Sequence, residues 1–326
     1  MPVRPIMTAV IGALGLVLSA TSVFAGEDIA ISAGTKGSPN YRLGQLICKV
    51  LNRSVENFNC AIVPMRAGDA PDSFANIVNV RDGAAEIGIV RSDWLHFAFT
   101  GTGPVKFIHS KFDTIRSLFT IDTRPFTLIV KRGVGITNLE DLKDKRVNLG
   151  PRRTDTRNSL ELVMAAKNWT TSDFELAEEL PLAEQSLAFC HGRVHAIPYV
   201  VSHPNQDVRR ITKLCDGKII DIVGPDVDEL LSRTPYLAAV TIPAGLYADT
   251  DSAVNTIGNT INLVSSSDVS QDLISSVVKA VFDNIEALRT AHPILRHMEP
   301  SQMLKGGLSA PMHDGARRQF LERGLL

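Results

Sequence analysis

The feature that most constrains the fold is a repeated alternation of short apolar segments with segments of helical periodicity. Residues 29–33 predict a strand that runs into a glycine-rich turn, and residues 43–51 carry apolar side chains at helical spacing. A strand over 60–63, a helix over 72–80 and a strand over 85–90 continue the alternation. Strands that alternate with helices form a parallel sheet covered by helices. The sequence therefore predicts an α/β fold.

The pattern starts again in the middle of the chain, which indicates a second lobe. The segments that predict strands are 115–121, 126–131, 146–150, 196–201, 219–223 and 237–242, and those that predict helices are 158–167, 183–190 and 269–288. A chain of 326 residues exceeds the size of one ordinary hydrophobic core. We expect one lobe over 26–125 with 255–326 and another over 126–254, with a ligand cleft between them.

The N-terminus has the organisation of an export signal. Arg4 supplies a positive charge, residues 6–18 are apolar, and small residues end at Ala25. The alternative, a membrane anchor, is disfavoured because a spanning helix needs about 20 apolar residues. The pattern predicts a signal peptide over residues 1–25 and a mature protein in a bacterial periplasm.

Composition excludes some classes of function. The formal net charge of −1 gives no basic footprint for nucleic acid. The four cysteines, which do not form CxxC pairs, are Cys48, Cys60, Cys190 and Cys215. In an oxidising compartment an even number predicts disulfides, for which several pairings are possible. Proximity in sequence favours Cys48–Cys60 and Cys190–Cys215, and four buried thiols are the alternative.

Catalytic and metal-binding motifs are absent from the sequence. It contains no HExxH, GxSxG or phosphate-binding loop. His191, His195 and His203 are close in sequence, but their spacing matches no standard metal site. We therefore expect no metal, no cofactor and no enzymatic activity.

Polar loops follow the predicted strands and are candidates for ligand binding. These loops are residues 34–41, 73–76, 91–94, 151–158 and 202–205. In open α/β sheets, ligands bind beyond the carboxyl ends of the strands. Loops that lead into helices offer unpaired N–H groups, and Arg91, Arg152, Arg153 and Arg157 could add charge-assisted bonds. The pattern is typical of a site for a small carboxylate.

Several motifs together resemble one family of transport proteins. Residues 308–317, followed by Phe320 and Gly324, resemble the C-terminal signature of solute-binding subunits in the TAXI branch of TRAP transporters. The family's other motifs are matched by Ser73–Asn76 as a serine–asparagine pair, by Ser92-Asp93-Trp94, by residues 141–150 and by His203-Pro204-Asn205. The cysteine pairs lie where a subgroup of the family carries its own.

The resemblance implies a two-lobed, periplasmic-binding-protein-like (type II) fold. It also implies a monomer that captures a small organic anion, such as a carboxylate or an acidic amino acid, and docks on the membrane subunits of a TRAP transporter. The residues expected to bind the ligand are Thr35, Asn40, Tyr41, Ser73, Asn76, Arg91, Ser92, Arg153, Thr154, Asp155, Arg157, Ser202 and His203. The second hypothesis is a ligand sensor that presents its bound state to a membrane receptor kinase, and neighbouring permease or kinase genes would distinguish the two.

The sequence departs from the family pattern in the ligand loops. The departures are Asn40, Arg91, Arg153-Thr154-Asp155, Ser202 and Val194-His195. Arg91 and Arg153 favour a more anionic ligand, such as a dicarboxylate, whereas Asp155 favours a ligand that also carries an amine. The sequence leaves both possibilities open.

Overall fold

The structure, a computed structural model, describes residues 27–56, 58–63, 65, 72–103, 112–248 and 250–326. The predicted signal peptide over residues 1–25 lies outside the described residues.

The first part of the chain forms the alternating units that the sequence predicts. They are β1 (Glu27–Ser32), α1 (Pro39–Ser54), β2 (Phe58–Ile62), α2 (Asp72–Arg81), β3 (Ile87–Arg91) and α3 (Ser92–Thr100). α1 begins where Ser38 Oγ accepts a hydrogen bond from the backbone N–H of Tyr41 at 3.1 Å, with Pro39 in the first turn. β1 pairs in parallel with both β2 and β3.

A second set of units follows a long strand. The elements are β4 (Ile115–Lys131), β5 (Arg146–Asn148), α4 (Asp155–Ala166), β6 (Leu176–Glu178), α5 (Leu182–Cys190), β7 (Ala196–Val200), α6 (Gln206–Leu214), β8 (Gly217–Ile220), α7 (Pro225–Arg233) and β9 (Leu237–Ile242). The chain then continues through β10 (Val254–Ser266), α8 (Gln271–Asp283), α9 (Ile285–Ala291) and α10 (Asp314–Glu322).

The sheet is mixed, so the prediction of a parallel sheet is wrong in part. Its strands run in the order β2-β1-β3-β10-β4-β7-β5-β6, with β8 paired to β4 and β9 paired to β10. β10 is antiparallel to β3, β4 and β9, and β4 is antiparallel to β7 and β8. The antiparallel pairs arise because β4 and β10 are long strands that connect the two halves of the sheet.

Two predicted elements have different bounds. Segments 115–121 and 126–131 form the single strand β4, which passes through Pro125. Gly258 lies opposite Pro125, and a Cβ there would lie 2.6 Å from the Arg124 carbonyl oxygen, so glycine permits this close approach. The predicted helix over 269–288 is divided at Asn284, where the backbone leaves the helical conformation.

Each half of the molecule has its own hydrophobic core. In the first half, Ile31 and Phe119 pack against α1 and α8, and in the second half Phe126 and Val147 pack against α4. The change from one core to the other falls between Ile121 and Phe126 on β4 and between Ile257 and Ile261 on β10.

Each half of the molecule contains one disulfide, and neither disulfide joins the two halves. Cys48–Cys60 joins α1 to β2, and Cys190–Cys215 joins the ends of α5 and α6. The predicted pairing is confirmed. None of the helices in the described part of the chain combines the length and apolar character that crossing a bilayer requires.

Candidate ligand-binding cleft

A cleft of about 1260 Å³ lies between the two halves of the sheet. It is bordered by the N-terminal turns of α1, α2, α3 and α4, by the middle of β4, and by the loop after β7. The lining residues are Ser38, Pro39, Asn40, Asp72, Ser73, Arg91, Asp93, Trp94, Phe97, Arg124, Arg153, Asp155, Asn158, Ser159, Glu161, Leu162, Val200, Val201, Ser202, Pro204, Asn205, Tyr236, Asn259 and Ile294. The position agrees with the expectation that ligands bind beyond strand ends.

The structure brings about half of the predicted ligand residues to this cleft. Those that line it are Asn40, Ser73, Arg91, Arg153, Asp155 and Ser202. Those that do not line it are Thr35, Tyr41, Asn76, Ser92, Thr154, Arg157 and His203. Most of this second group hold the lining residues in place.

Asn76 and Thr35 support the loops of the first half. Asn76 is fully buried, accepts a hydrogen bond from Ser32 Oγ at 2.8 Å, and donates one to the Ile89 carbonyl at 2.6 Å. It therefore ties α2 to both β1 and β3. Thr35 donates its hydroxyl to Asp72 Oδ1 at 2.8 Å, which orients that carboxylate at the edge of the cleft.

Arg157 is occupied by protein carboxylates. Its side chain is buried, and its Nε and Nη1 donate to Glu161 Oε1 at 2.6 Å and to Glu179 Oε1 at 3.0 Å. Thr154 caps α4 by accepting a hydrogen bond from the Arg157 backbone N–H at 3.2 Å. These two residues stabilise the start of α4 behind the cleft.

Arg91 forms an ion-pair network that crosses the cleft. Its Nε and Nη2 donate to Asp93 Oδ1 at 2.7 Å and to Asp93 Oδ2 at 2.6 Å, in the bidentate geometry that favours strong pairing. Its Nη1 donates to Asp155 Oδ2, at the start of α4 in the other half. Arg91 is therefore paired with carboxylates from both sides of the cleft.

Arg124 is a cleft residue that sequence reasoning missed. It is half-buried on β4, and its Nη2 donates to Asn40 Oδ1 at 3.0 Å. Within the described residues, no carboxylate lies at ion-pair distance from its guanidinium, which carries five N–H donors. Burial lowers the pKa of Arg124, and the nearby Asp122 opposes that shift. The signal available in sequence was the charged interruption at 122–125 within an apolar segment.

Asp122 joins β4 to the loop after β7. Ser202 donates its hydroxyl to Asp122 Oδ2 at 2.5 Å. Burial raises the pKa of Asp122 to about 6, although the Ser202 hydrogen bond and the charge of Arg124 act in the opposite direction. Ser202 therefore links the cleft to a carboxyl group that titrates near neutral pH.

His203 supports the same loop from behind. Tyr247 accepts a hydrogen bond from the Asn205 backbone N–H at 2.8 Å and contacts His203 Nδ1 through its hydroxyl. Burial lowers the pKa of His203 to about 4, so the ring is neutral at pH 7. With Nδ1 accepting from Tyr247, Nε2 carries the proton and donates to Thr127 Oγ1 at 2.9 Å. This chain fixes the loop that presents Ser202 to the cleft.

Ser92 anchors an aromatic residue from the opposite half. Its buried hydroxyl donates to the Tyr236 carbonyl at 2.6 Å and accepts from the Thr260 backbone N–H at 3.1 Å. Tyr236 and Phe97 line the cleft with their ring centroids 5.7 Å apart. Ser92 thus sets the distance between α3 and the turn that precedes β9.

Metal binding finds no support in the part of the chain that the structure describes. Its His, Cys, Asp and Glu side chains form no cluster of three that could hold an ion.

Comparison with known proteins identifies the family. Residues 31–324 match the NMT1-like family. The chain belongs to this family. It also resembles the TctC solute-binding protein from Polaromonas, with 14% identity, a TM-score of 0.54, and coverage of 91% of this chain and 97% of that one.

Two further solved structures are more distant. The MatC protein of Rhodopseudomonas palustris, with bound malate, gives 13% identity and a TM-score of 0.49, covering 92% of this chain and 96% of that one. The periplasmic aliphatic sulphonate-binding protein SsuA of Escherichia coli gives 12% identity and a TM-score of 0.46, covering 91% and 83%. The TctC likeness, together with the two cores, confirms the predicted two-lobed α/β fold.

Proposed function

We propose that this protein is an exported solute-binding protein that captures a small organic anion and delivers it to a TRAP-type membrane transporter, as the TAXI resemblance implies. The NMT1-like family match and the two-lobed fold support this role. The observation that carries the choice of an anion is Arg124, a half-buried cleft cation without a carboxylate partner among the described residues.

The lobes of the proposal are residues 26–125 with 255–326, and residues 126–254. The division between the hydrophobic cores on β4 supports the boundary at 125/126. On β10 the second core extends to Ile257, a few residues beyond the proposed boundary at 254/255. Arg91 lies in the first lobe and Asp155 in the second, so their ion pair can form only when the lobes approach. We propose that lobe closure around the ligand brings this pair together, as in hinge closure of other binding proteins.

The proposed ligand contacts combine predicted and newly found residues. Arg124 binds the anion through the N–H groups that Asn40 does not occupy. The hydroxyls of Ser73 and Ser202 and the guanidinium of Arg153 also line the cleft. The remaining predicted residues act through these groups by fixing the loops.

The decisive experiment compares arginines inside and outside the cleft. Ligands are first found by a thermal-shift screen of carboxylates and amino acids, and affinities are then measured by isothermal titration calorimetry. Arg124→Ala should weaken binding of the anion by about 2–5 kcal/mol, because the buried ligand charge loses its partner. Arg124→Lys should recover only part of this, since lysine lacks the planar fork.

Two control variants separate binding from folding. Arg152→Ala removes a side chain that is 75% exposed and paired with Glu179, so affinity should not change. Arg157→Ala should lower the melting temperature and leave the affinity nearly unchanged. Wild-type affinity in Arg124→Ala would mean that the anion is held elsewhere in the protein.

Export has its own test. The secreted protein should begin at Gly26, which mass spectrometry of the N-terminus would show. Retention of the first 25 residues in the membrane fraction would contradict the proposed periplasmic location.

A further inference from the structure

We infer that the ligand is an aromatic monocarboxylate, whose carboxylate binds Arg124 and whose ring packs against Phe97 and Tyr236. This inference rests on the proposed function and names the chemical class of its ligand.

The charges in the cleft favour a single carboxylate. Its lining contains the arginines at 91, 124 and 153 and the carboxylates at 72, 93, 155 and 161, of which Glu161 is paired with Arg157 behind the cleft. Arg91 is already bound by Asp93 and Asp155. Arg153 is exposed, so Arg124 is the half-buried cation available to an anion. A second ligand carboxylate would find no further unpaired buried cation among the described residues. It would also be repelled by Asp72, which acts on Arg124 and forms no ion pair among the described residues.

An aromatic wall forms the apolar part of the cleft. Phe97 lies 6.3 Å from Trp94 and 5.7 Å from Tyr236, centroid to centroid, and all three residues line the cleft. The planes of Phe97 and Tyr236 are inclined by 60°. Aromatic rings favour such offset and edge-to-face partners, with centroids about 4.5–7 Å apart. A ligand ring therefore finds both a face and an edge to pack against.

The wall is held rigidly from both halves of the molecule. Gly103 lies directly against the Phe97 side chain, where an added Cβ would be 2.7 Å from the ring Cγ. The Tyr236 backbone is held by Ser92 Oγ at 2.6 Å. Its hydroxyl has no hydrogen-bond partner among the described residues and is available to a polar substituent. Because Phe97 comes from α3 and Tyr236 from the turn before β9, a ligand ring packed against this wall contacts both lobes.

The charged and apolar parts line the same cleft, and Asp93 is near both of them. Asp93 and Phe97 are four residues apart on α3, so they lie on the same face, one helical turn apart. Burial raises the pKa of Tyr236, and the Asp93 carboxylate adds to that rise. Asp93 also acts on Arg124, where it opposes the lowering of the pKa by burial. Asp93 is therefore near both Arg124 and Tyr236, and all three residues line the cleft.

The test uses 3-phenylpropanoate, phenylalanine, hexanoate and succinate as probes in titration calorimetry of the purified protein. We expect one or both aromatic probes to bind at least tenfold more tightly than hexanoate and succinate. Tyr236→Ala should weaken the aromatic probe about tenfold, whereas Tyr236→Phe, which keeps the ring, should change its affinity less than threefold. Phe97→Leu should also weaken it, with melting temperature measured to verify folding.

The two aromatic probes distinguish ligands with and without an amine. If phenylalanine binds more tightly and Asp72→Asn removes this advantage, the ligand carries an amine that binds Asp72. If 3-phenylpropanoate binds more tightly, the ligand is an aromatic acid without an amine. Either result supports the aromatic class. If succinate or hexanoate binds as tightly as the aromatic probes, and depends on Arg124, this inference fails and the proposed function stands. If no probe binds in an Arg124-dependent way, this inference fails. The proposed function fails as well if no anion from the carboxylate and amino-acid screen binds in an Arg124-dependent way.

Discussion

Replacing Asp122 by asparagine should stabilise the protein at neutral pH. Burial raises the pKa of Asp122 from 3.8 to about 6 in the folded protein, so folding makes its ionisation less favourable. One pKa unit corresponds to about 1.4 kcal/mol, so ionised Asp122 destabilises the fold by about 3 kcal/mol above pH 6. Asp122→Asn keeps a neutral acceptor for the Ser202 hydroxyl and removes this penalty.

The sign of the effect depends on pH. The folded state binds the Asp122 proton more tightly, so wild-type stability from this group is present below about pH 4 and is lost as the pH rises to about 6. Asp122→Asn should therefore be about 3 kcal/mol more stable than wild type at pH 7.5 and nearly equal near pH 4. Urea unfolding at both pH values measures the difference. Asp268→Asn, in an exposed turn, is the matched control.

His203 gives this experiment a second signature. Its pKa is lowered to about 4 by burial, so its contribution to stability is lost as the pH falls from about 6.5 to 4. On acidification of the wild type, protonation of Asp122 raises the free energy of unfolding and protonation of His203 lowers it, so the two effects oppose each other. In Asp122→Asn only the effect of His203 remains, so this variant should become less stable as the pH falls. A variant that is less stable than wild type at pH 7.5 would refute the reasoning, because it would mean that attraction to Arg124 outweighs burial.

Three further perturbations have direct readouts. Replacing both Cys190 and Cys215 by serine should lower the free energy of unfolding by about 3 kcal/mol, measured in urea, because the disulfide closes a loop of 25 residues; equal stability would contradict this. Asn76→Ala should lower the free energy of unfolding by about 2–3 kcal/mol, because the Ile89 carbonyl and Ser32 hydroxyl lose a buried partner; a smaller loss would mean that water replaces the amide. Affinity for the anion should increase from pH 7.5 to 5.5 as Asp122 is protonated beside Arg124, and titration of Asp122→Asn should show no such increase.

Strands and helices could be predicted from sequence where their buried faces consist of apolar side chains. β10 was missed because about half of its buried positions are polar. Asn262 is fully buried, accepts from Thr120 Oγ1 at 2.9 Å and from Thr260 Oγ1 at 2.8 Å, and donates to the Gly307 carbonyl at 2.9 Å. In sequence, a strand of this kind resembles a polar loop, because the hydrogen-bond partners of its buried polar side chains come from distant parts of the chain.

The predicted ligand loops border one cleft because strand ends and helix starts are visible as motifs. The residues that would carry the charge were harder to choose. Arg157 stands at a helix start, yet Glu161, one turn further on, and the distant Glu179 bind its guanidinium. Only the first of these partners is evident from helical spacing.

Arg124 differs from Arg91 in a way that bears on how the cleft would work. The hydrogen-bond partner of Arg124 is Asn40, 84 residues away but on the same side of the cleft, so it does not depend on lobe closure. Arg91 has one partner, Asp93, on its own lobe and another, Asp155, across the cleft. If the anion binds at Arg124 as proposed, its site would be formed before closure, while the Arg91–Asp155 pair would add energy only after it. An arginine would thus bind the ligand at position 124 and stabilise the closed state at position 91. The difference comes from the tertiary partners of each side chain, which are not evident from sequence.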